Sequence, residues 1–196
     1  MADTRFELGH VRRVGFLADS HSRKADGSDL PQQALEAFVG VDLIVHLGDI
    51  GQKGILARLA AVAPVLVPAG DGKGWIPVGR QDVGPLKVIE AAGLSVGLTF
   101  NLTKPDKAIV VEDAGLQFTK PVPDLMKRRF GRLVDAVAFG GTHRQRTEEH
   151  EGVVFFDPGS PTLPSDKQGV DDLGSVSVLD LREGQVKVQQ VRLRSA

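Results

Sequence analysis

Four short apolar runs in this chain each stop abruptly at a polar cluster. Val14 to Ala18 (VGFLA) precedes Asp19-Ser20-His21, and Asp42 to Leu47 (DLIVHL) precedes Gly48-Asp49. Val65 to Val67 precedes Pro68-Ala69-Gly70-Asp71, and Ala136 to Phe139 precedes Gly140-Gly141-Thr142-His143. Short runs rich in β-branched and aromatic residues, bounded by turn formers, are the pattern of strands buried on both faces. Between the first two runs Pro31 suits a first helical turn, and Ala34, Leu35, Phe38 and Val39 follow at helical spacing. Ile55, Leu56, Leu59 and Val62 repeat that spacing before the third run. Strand, helix, strand, helix, strand favours an α/β domain with parallel neighbours, and in such sheets ligands bind beyond the carboxyl ends of the strands.

The rest of the chain has a different texture. Leu86 to Glu90 and Leu94 to Thr99 read as strands joined at Ala92-Gly93, and Ala108 to Glu112 with Leu116 to Thr119 as a hairpin around Asp113-Ala114-Gly115. Pro121 and Pro123 close that segment, and the spacing predicts a helix over 125–134, weakened by Gly131. Val153 to Phe156, Val176 to Leu181 and Val186 to Val191 finish the chain in β structure. The expected fold class is α/β, a two-sheet β-sandwich flanked by helices. With 196 residues the chain suits a single domain, 1–196, carrying a hairpin insertion near 103–123. Ile109, Val110, Val111, Leu116 and Phe118 are more apolar than a free loop needs, so the insertion should pack on the sheet edge, the site mouth, another subunit or a protein partner.

Composition narrows the chemistry. There is no cysteine, so disulfides, thiolate metal sites and cysteine nucleophiles are excluded together, and any metal must be held by His, Asp, Glu or Asn. Net charge is -1 with the signs interspersed, which makes a nucleic-acid backbone or anionic membrane a poor principal partner. The opening MADTRFELGHVRR lacks the apolar core of a signal peptide, and no stretch approaches the ~18 apolar residues of a membrane span, so a cytoplasmic location is expected. Asp19 and Ser20 alone would suit a simple turn. Four strand ends that each present an Asp or His suggest more, because Mn²⁺, Fe and Zn²⁺ accept mixed imidazole and carboxylate ligands, and two such ions ~3.5–4 Å apart serve phosphoester hydrolysis.

The order DxH, GD, a glycine-led third cluster, then GxTH followed by a PGS turn resembles the calcineurin-like metallophosphoesterase superfamily. Within it the chain is similar to the small bacterial and archaeal phosphodiesterase branch, which includes the retromer's metallophosphoesterase-like subunit. The resemblance spans nearly the whole chain: ADSHS, IVHLGDI, VPAGDGKG, LSVGLTFN, AFGGTHRQ and FFDPGSPTLP. It implies the family's αββα architecture and a divalent-metal phosphoester hydrolase. Asp19, His21 and His143 match ligands of the first metal, and Asp49 matches the bridging aspartate.

The second metal's set is depleted by the same comparison. Asp71 stands for the family's asparagine, Phe100 for a histidine, and Gly141 for the first histidine of GHTH; Gly72 and Lys73 also depart. One ion per chain is therefore expected, Mn²⁺ first, with Fe, Zn or Ni as alternatives. Lys73 or Arg144 is the candidate to replace the missing cation at a phosphate oxygen, beside Asp49 in the catalytic set. Asp157 stands where the family often has asparagine. His46, facing away from its strand neighbours, reads as a core or supporting histidine, and His10 and His150 receive no role. Two functions stay open: a metal-dependent phosphoesterase acting on a small phosphoester, or a non-catalytic binding or scaffold module on the same fold. The second site is either a degraded copy of a two-metal centre or one rebuilt around Lys73 or Arg144.

Overall fold

The computed structural model describes residues 5–68, 88–104 and 107–195. Its elements run β1 (Arg5–Glu7), β2 (Arg13–Leu17), α1 (Gln32–Ala37), β3 (Leu43–His46), α2 (Gly54–Ala60), β4 (Val65–Leu66), β5 (Val88–Ala91) and β6 (Leu94–Leu98). They continue through β7 (Ile109–Glu112), β8 (Gly115–Phe118), α3 (Val122–Phe130), β9 (Ala136–Ala138), β10 (Gln145–His150), β11 (Val153–Pro158), β12 (Asp172–Asp180) and β13 (Lys187–Arg194). Two large sheets carry the fold, ordered β1-β5-β6-β9-β11-β10 and β13-β12-β2-β3-β4, while β7 and β8 pair with each other as a separate hairpin. β2, β3 and β4 are parallel neighbours, as are β6, β9 and β11.

Side-chain alternation sorts the core into three sets. Val14, Phe16, Leu43 and Val45 point inward from one sheet and meet Ile89, Val96, Ala136 and Phe156 from the other. The opposite face of the first sheet, with Leu17, Ile44 and Val178, is covered by Ala34, Phe38, Ile55 and Leu59 around α1 and α2. The opposite face of the second, with Val88, Val137 and Phe155, is covered by Leu125, Met126 and Phe130 of α3 together with Ile109 and Leu116 of the hairpin. Four layers result, helix on sheet on sheet on helix, and strands covered on both sides explain the near-continuous apolar runs.

The third helix starts earlier than its spacing predicts. Pro121 caps it and Pro123 lies in its first turn, where a missing N–H costs nothing, and Gly131 ends it with φ 77°. Val39 lies beyond α1 and is 70% exposed, whereas Ala34 and Phe38 of that pattern are buried in the core and Leu35 packs against it. Residues 103–123 hold the β7–β8 hairpin and the first residues of α3, and the hairpin docks beside that helix, with Val110 left exposed. Among the described residues no helix is long and apolar enough to cross a membrane.

One glycine per sheet sets how closely a helix approaches. A Cβ on Gly15 of β2 would lie 2.5 Å from the Phe38 ring, and one on Gly97 of β6 would lie 2.6 Å from the Phe130 ring. Gly15→Ala and Gly97→Ala should therefore each lose about 1–3 kcal/mol by overpacking. Pairing Gly97→Ala with Phe130→Leu should recover part of the loss in urea unfolding; simple additivity would contradict this packing.

Candidate metal centre

The loops after β2 and β3 are stitched together past the ends of their strands. Asp19 N–H donates to the Gly48 carbonyl at 3.0 Å, His21 N–H to Asp49 at 2.9 Å and Ser22 N–H to Ile50 at 2.9 Å. Ser22 and Gly51 form a parallel bridge, and a Cβ on Gly51 would strike the Ser22 backbone. Asp19, His21, Asp49 and His143 have φ of 53°, 38°, 50° and 58°. Left-handed backbone costs a non-glycine residue of order 1 kcal/mol or more, and it concentrates where function holds a side chain in place.

Three of these side chains converge on one point. The ligand atoms of Asp19, His21 and His143 all lie within 4.8 Å of one another. His21 Nε2 is 3.2 Å from His143 Nε2, and His143 Nε2 is 3.4 Å from Asp19 Oδ1. His21 Nε2 is 4.0 Å from Asp19 Oδ1 and 3.9 Å from Asp49 Oδ2, which places Asp49 at the margin of the cluster. Bonds of ~2.1 Å to one ion set adjacent ligands ~3.0–3.4 Å apart and opposite ones ~4.2 Å apart, so these separations suit a shared cation.

The donor set fits a metal for a second reason. Asp19 is fully buried; its Oδ2 accepts the Gly141 N–H at 2.8 Å, while its Oδ1 has no hydrogen-bond partner among the described residues. A buried carboxylate oxygen without a partner costs ~1–3 kcal/mol or more, and a cation at the two imidazoles would satisfy it. Burial raises the Asp19 carboxyl above its ordinary range, against the Gly141 N–H and the His143 ring that lower it. His143 is held in place by its Nδ1, 2.7 Å from the Leu163 carbonyl, which fixes that nitrogen as the donor and leaves Nε2 free to bind. Ser160 Oγ supports the same loop, donating to the Asp19 carbonyl at 2.8 Å and accepting from Leu163 N–H at 2.8 Å.

A family model, the calcineurin-like phosphoesterase superfamily domain, matches residues 13–184. The chain belongs to that superfamily. A probable metallophosphoesterase of Methanocaldococcus jannaschii is 26% identical over 167 residues, 84% of this chain and 76% of that protein. Another, of Methanothermobacter thermautotrophicus, is 28% identical over 156 residues, 77% and 78% of the two chains. Among solved structures, an archaeal phosphodiesterase superposes with a TM-score of 0.59 at 17% identity, covering 92% of this chain and 99% of its own. Vacuolar protein sorting 29 from Cryptosporidium parvum does so with 0.57 at 17%, covering 94% and 99%. At those identities the structural likeness speaks for the αββα fold.

Phe100 occupies the ground beside this metallophosphoesterase cluster. A Cβ on Gly48 would lie 2.5 Å from its ring, and Cβ atoms on Gly140 and Gly141 would lie 3.4 and 3.5 Å away. Three glycines thus form a cradle around an aromatic side chain. Arg144, next to His143, makes a 2.7 Å ion pair with Asp113 on the hairpin turn. Asp71 and Lys73, expected at the site from the sequence, lie outside the described residues.

Two buried groups stand behind the cluster, and the first, His46, is the supporting core histidine expected from the sequence. His46 is fully buried, with Nδ1 accepting the Gly48 N–H at 3.3 Å and Nε2 2.7 Å from Ser20 Oγ, which donates on to the Ile50 carbonyl. Burial lowers its ring to about 3, so it is a neutral brace between the first two loops. Asp157 accepts the Gly159 N–H at 2.8 Å and its Oδ2 is 2.8 Å from Thr142 Oγ1. Burial pushes this carboxyl up to about 7, against the Gly159 N–H and the Thr142 hydroxyl that pull it down. When protonated it donates to Thr142, leaving that hydroxyl's own proton for the Arg144 carbonyl at 3.1 Å.

The raised value has a definite sign in stability. The unfolded carboxyl ionises near 3.8 and the folded one near 7, so its contribution is full below 3.8 and is lost as pH rises toward 7. Asp157→Asn keeps the acceptor for Gly159, supplies a donor for Thr142 and cannot ionise. Urea unfolding should show the variant gaining on the parent between pH 4 and pH 8, by a few kcal/mol at most (~1.4 per pKa unit); a pH-independent difference would contradict the assignment.

Proposed function

We propose that the chain is a cytoplasmic metal-dependent phosphoesterase, acting on a small phosphodiester with one tightly held divalent ion per chain. Asp19, His21 and His143 hold the ion, and Asp49 completes the set from the margin. The observation that carries this reading is the buried Asp19 Oδ1, without a hydrogen-bond partner among the described residues, beside two imidazole Nε2 atoms at 3.4 and 4.0 Å. Mixed imidazole and carboxylate donors suit Mn²⁺ and also admit Fe, Zn or Ni. The ion would supply Lewis-acid polarisation of a phosphoryl oxygen. The chain's own residues do the rest: the stitched loops fix the ligands without reorganisation, and Arg144 lies one residue from His143 as a cation for the charge that develops on phosphorus oxygens. Asp71 and Lys73 remain part of the proposal, as a further ligand and an alternative phosphate cation.

A second reading, a non-catalytic binding module, is favoured by Phe100. Its ring fills the glycine cradle where the family resemblance places imidazoles of a second ion, and one ion alone gives a weaker clamp on the attacking and leaving oxygens.

Titration with Mn²⁺ separates these outcomes. One tight site per chain is expected, weakened ~100-fold or more in Asp19→Ala and His143→Ala, with Mn²⁺-dependent hydrolysis of bis-p-nitrophenyl phosphate lost in parallel. Two equivalent tight sites in the parent chain would overturn the one-ion reading, and tight binding without hydrolysis would leave the binding module. Phe100→His combined with Gly141→His should add a second site if the centre is a degraded pair; a folded double variant that still binds one ion would point to a rebuilt centre.

A further inference from the structure

The hairpin is fixed against β10 and tied to the residue that follows His143. Ile109 and Leu116 are buried under it, Leu116 N–H donates to Glu148 Oε2 at 2.9 Å, and Arg146 Nη2 donates to the Glu112 carbonyl at 2.6 Å. Arg144 Nη1 reaches Asp113 Oδ1 at 2.7 Å, tying the hairpin turn to the residue after His143. Between the hairpin and the Gly140–Thr142 turn lies a cavity of about 460 Å³. It shares with the cluster the Gly140–Thr142 turn, whose Gly141 N–H binds Asp19 and whose next residue is His143, and Arg144 lines it directly after His143, while Asp19, His21, Asp49 and His143 are not themselves part of its lining.

The lining indicates what kind of group fits. Val111 and Leu102 give an apolar side, while Asn101, Thr103 and Ser165 give amide and hydroxyl groups. The volume lies in the range of small-molecule sites and is several times what a phosphate needs. A guanidinium at the rim, Arg144, is held among the described residues by Asp113, whose side chain is 90% exposed; such surface pairs are worth ~0–1 kcal/mol and exchange readily with an incoming anion. Asp113 uses one oxygen for Arg144, which leaves the other as an acceptor of the kind a carboxylate offers to a sugar hydroxyl. Arg144 has further N–H donors for phosphoryl oxygens.

We propose that this cavity is the subsite for the organic group of the phosphoester, and that the group is a sugar-bearing substituent of nucleoside size. Asp113 takes a hydroxyl of the sugar, Val111 and Leu102 take its apolar side, and Arg144 stands at the junction with the phosphoryl group. The subsite rests on the phosphoesterase reading of the adjoining cluster, and its test keeps the two apart.

Calorimetric titrations would use adenosine 5′-monophosphate and inorganic phosphate as probes, with and without Mn²⁺, on the full chain. The parent should bind the nucleotide about tenfold or more tighter than phosphate, a difference of ~1.4 kcal/mol. Val111→Trp, which fills the cavity, should bring the nucleotide down to the level of phosphate while phosphate and Mn²⁺ affinities stay unchanged. Thr103→Trp repeats the block from another part of the lining should the first variant fold poorly, and Asp113→Asn should weaken the nucleotide but not phosphate. Equal affinity for the two probes in the parent, or a nucleotide preference that survives both tryptophan variants, would overturn the subsite. A preference that persists where no Mn²⁺ binds would support the subsite while removing the phosphoesterase reading.

Discussion

Asp19 is the point on which the site's architecture turns. Its N–H reaches the Gly48 carbonyl, its own carbonyl accepts from Ser160, and its Oδ2 accepts from Gly141. One residue at the end of β2 therefore joins loops that follow β3, β9 and β11, two from each side of the sandwich when its own is counted. Its remaining oxygen is buried, has no hydrogen-bond partner among the described residues and lies beside two imidazoles. In a folded interior such an oxygen is costly unless a cation meets it, which makes the metal reading a statement about electrostatics rather than about motif spelling alone.

The sandwich makes that arrangement affordable. Four residues of the cluster sit in left-handed backbone, a strain that persists only when surrounding structure overdetermines it. Here the surroundings are parallel strands covered on both faces, a Ser22–Gly51 bridge that prolongs their pairing, and the neutral His46 brace beneath. Phe100 adds a different constraint. Its ring fits against three glycines, and a β-carbon on Gly48 would not be accommodated, so this side of the centre is shaped around an aromatic group.

Much of this was legible in the sequence because the parallel strands are short, doubly buried and sharply ended. β2, β3 and β9 stand out as apolar runs, and Asp19, His21 and His143 follow directly from where those runs stop. β10, by contrast, is QRTEEH; it is the edge strand of its sheet, with mostly half-buried or exposed side chains, and carries no apolar run to betray it. The start of α3 was obscured because Pro121 and Pro123 look like loop residues, although a first turn tolerates both. The Leu163 carbonyl that orients His143 is backbone, so no residue type advertises it. The burial that raises Asp157 comes from packing between distant segments and cannot be read from FFDPGS. The left-handed conformations were hidden for a similar reason, since Asp and His do not announce positive φ as glycine does.

We propose one divalent ion at the meeting point of Asp19, His21 and His143, with Asp49 at its margin and Phe100 closing the neighbouring position. Anomalous diffraction from crystals grown with Mn²⁺, recorded near the manganese edge, addresses it directly. A single peak within bonding distance of Asp19 Oδ1 and the two Nε2 atoms is the predicted result. A second peak of comparable height beside Asp49 with the Phe100 ring displaced, or no peak at the cluster, would contradict it.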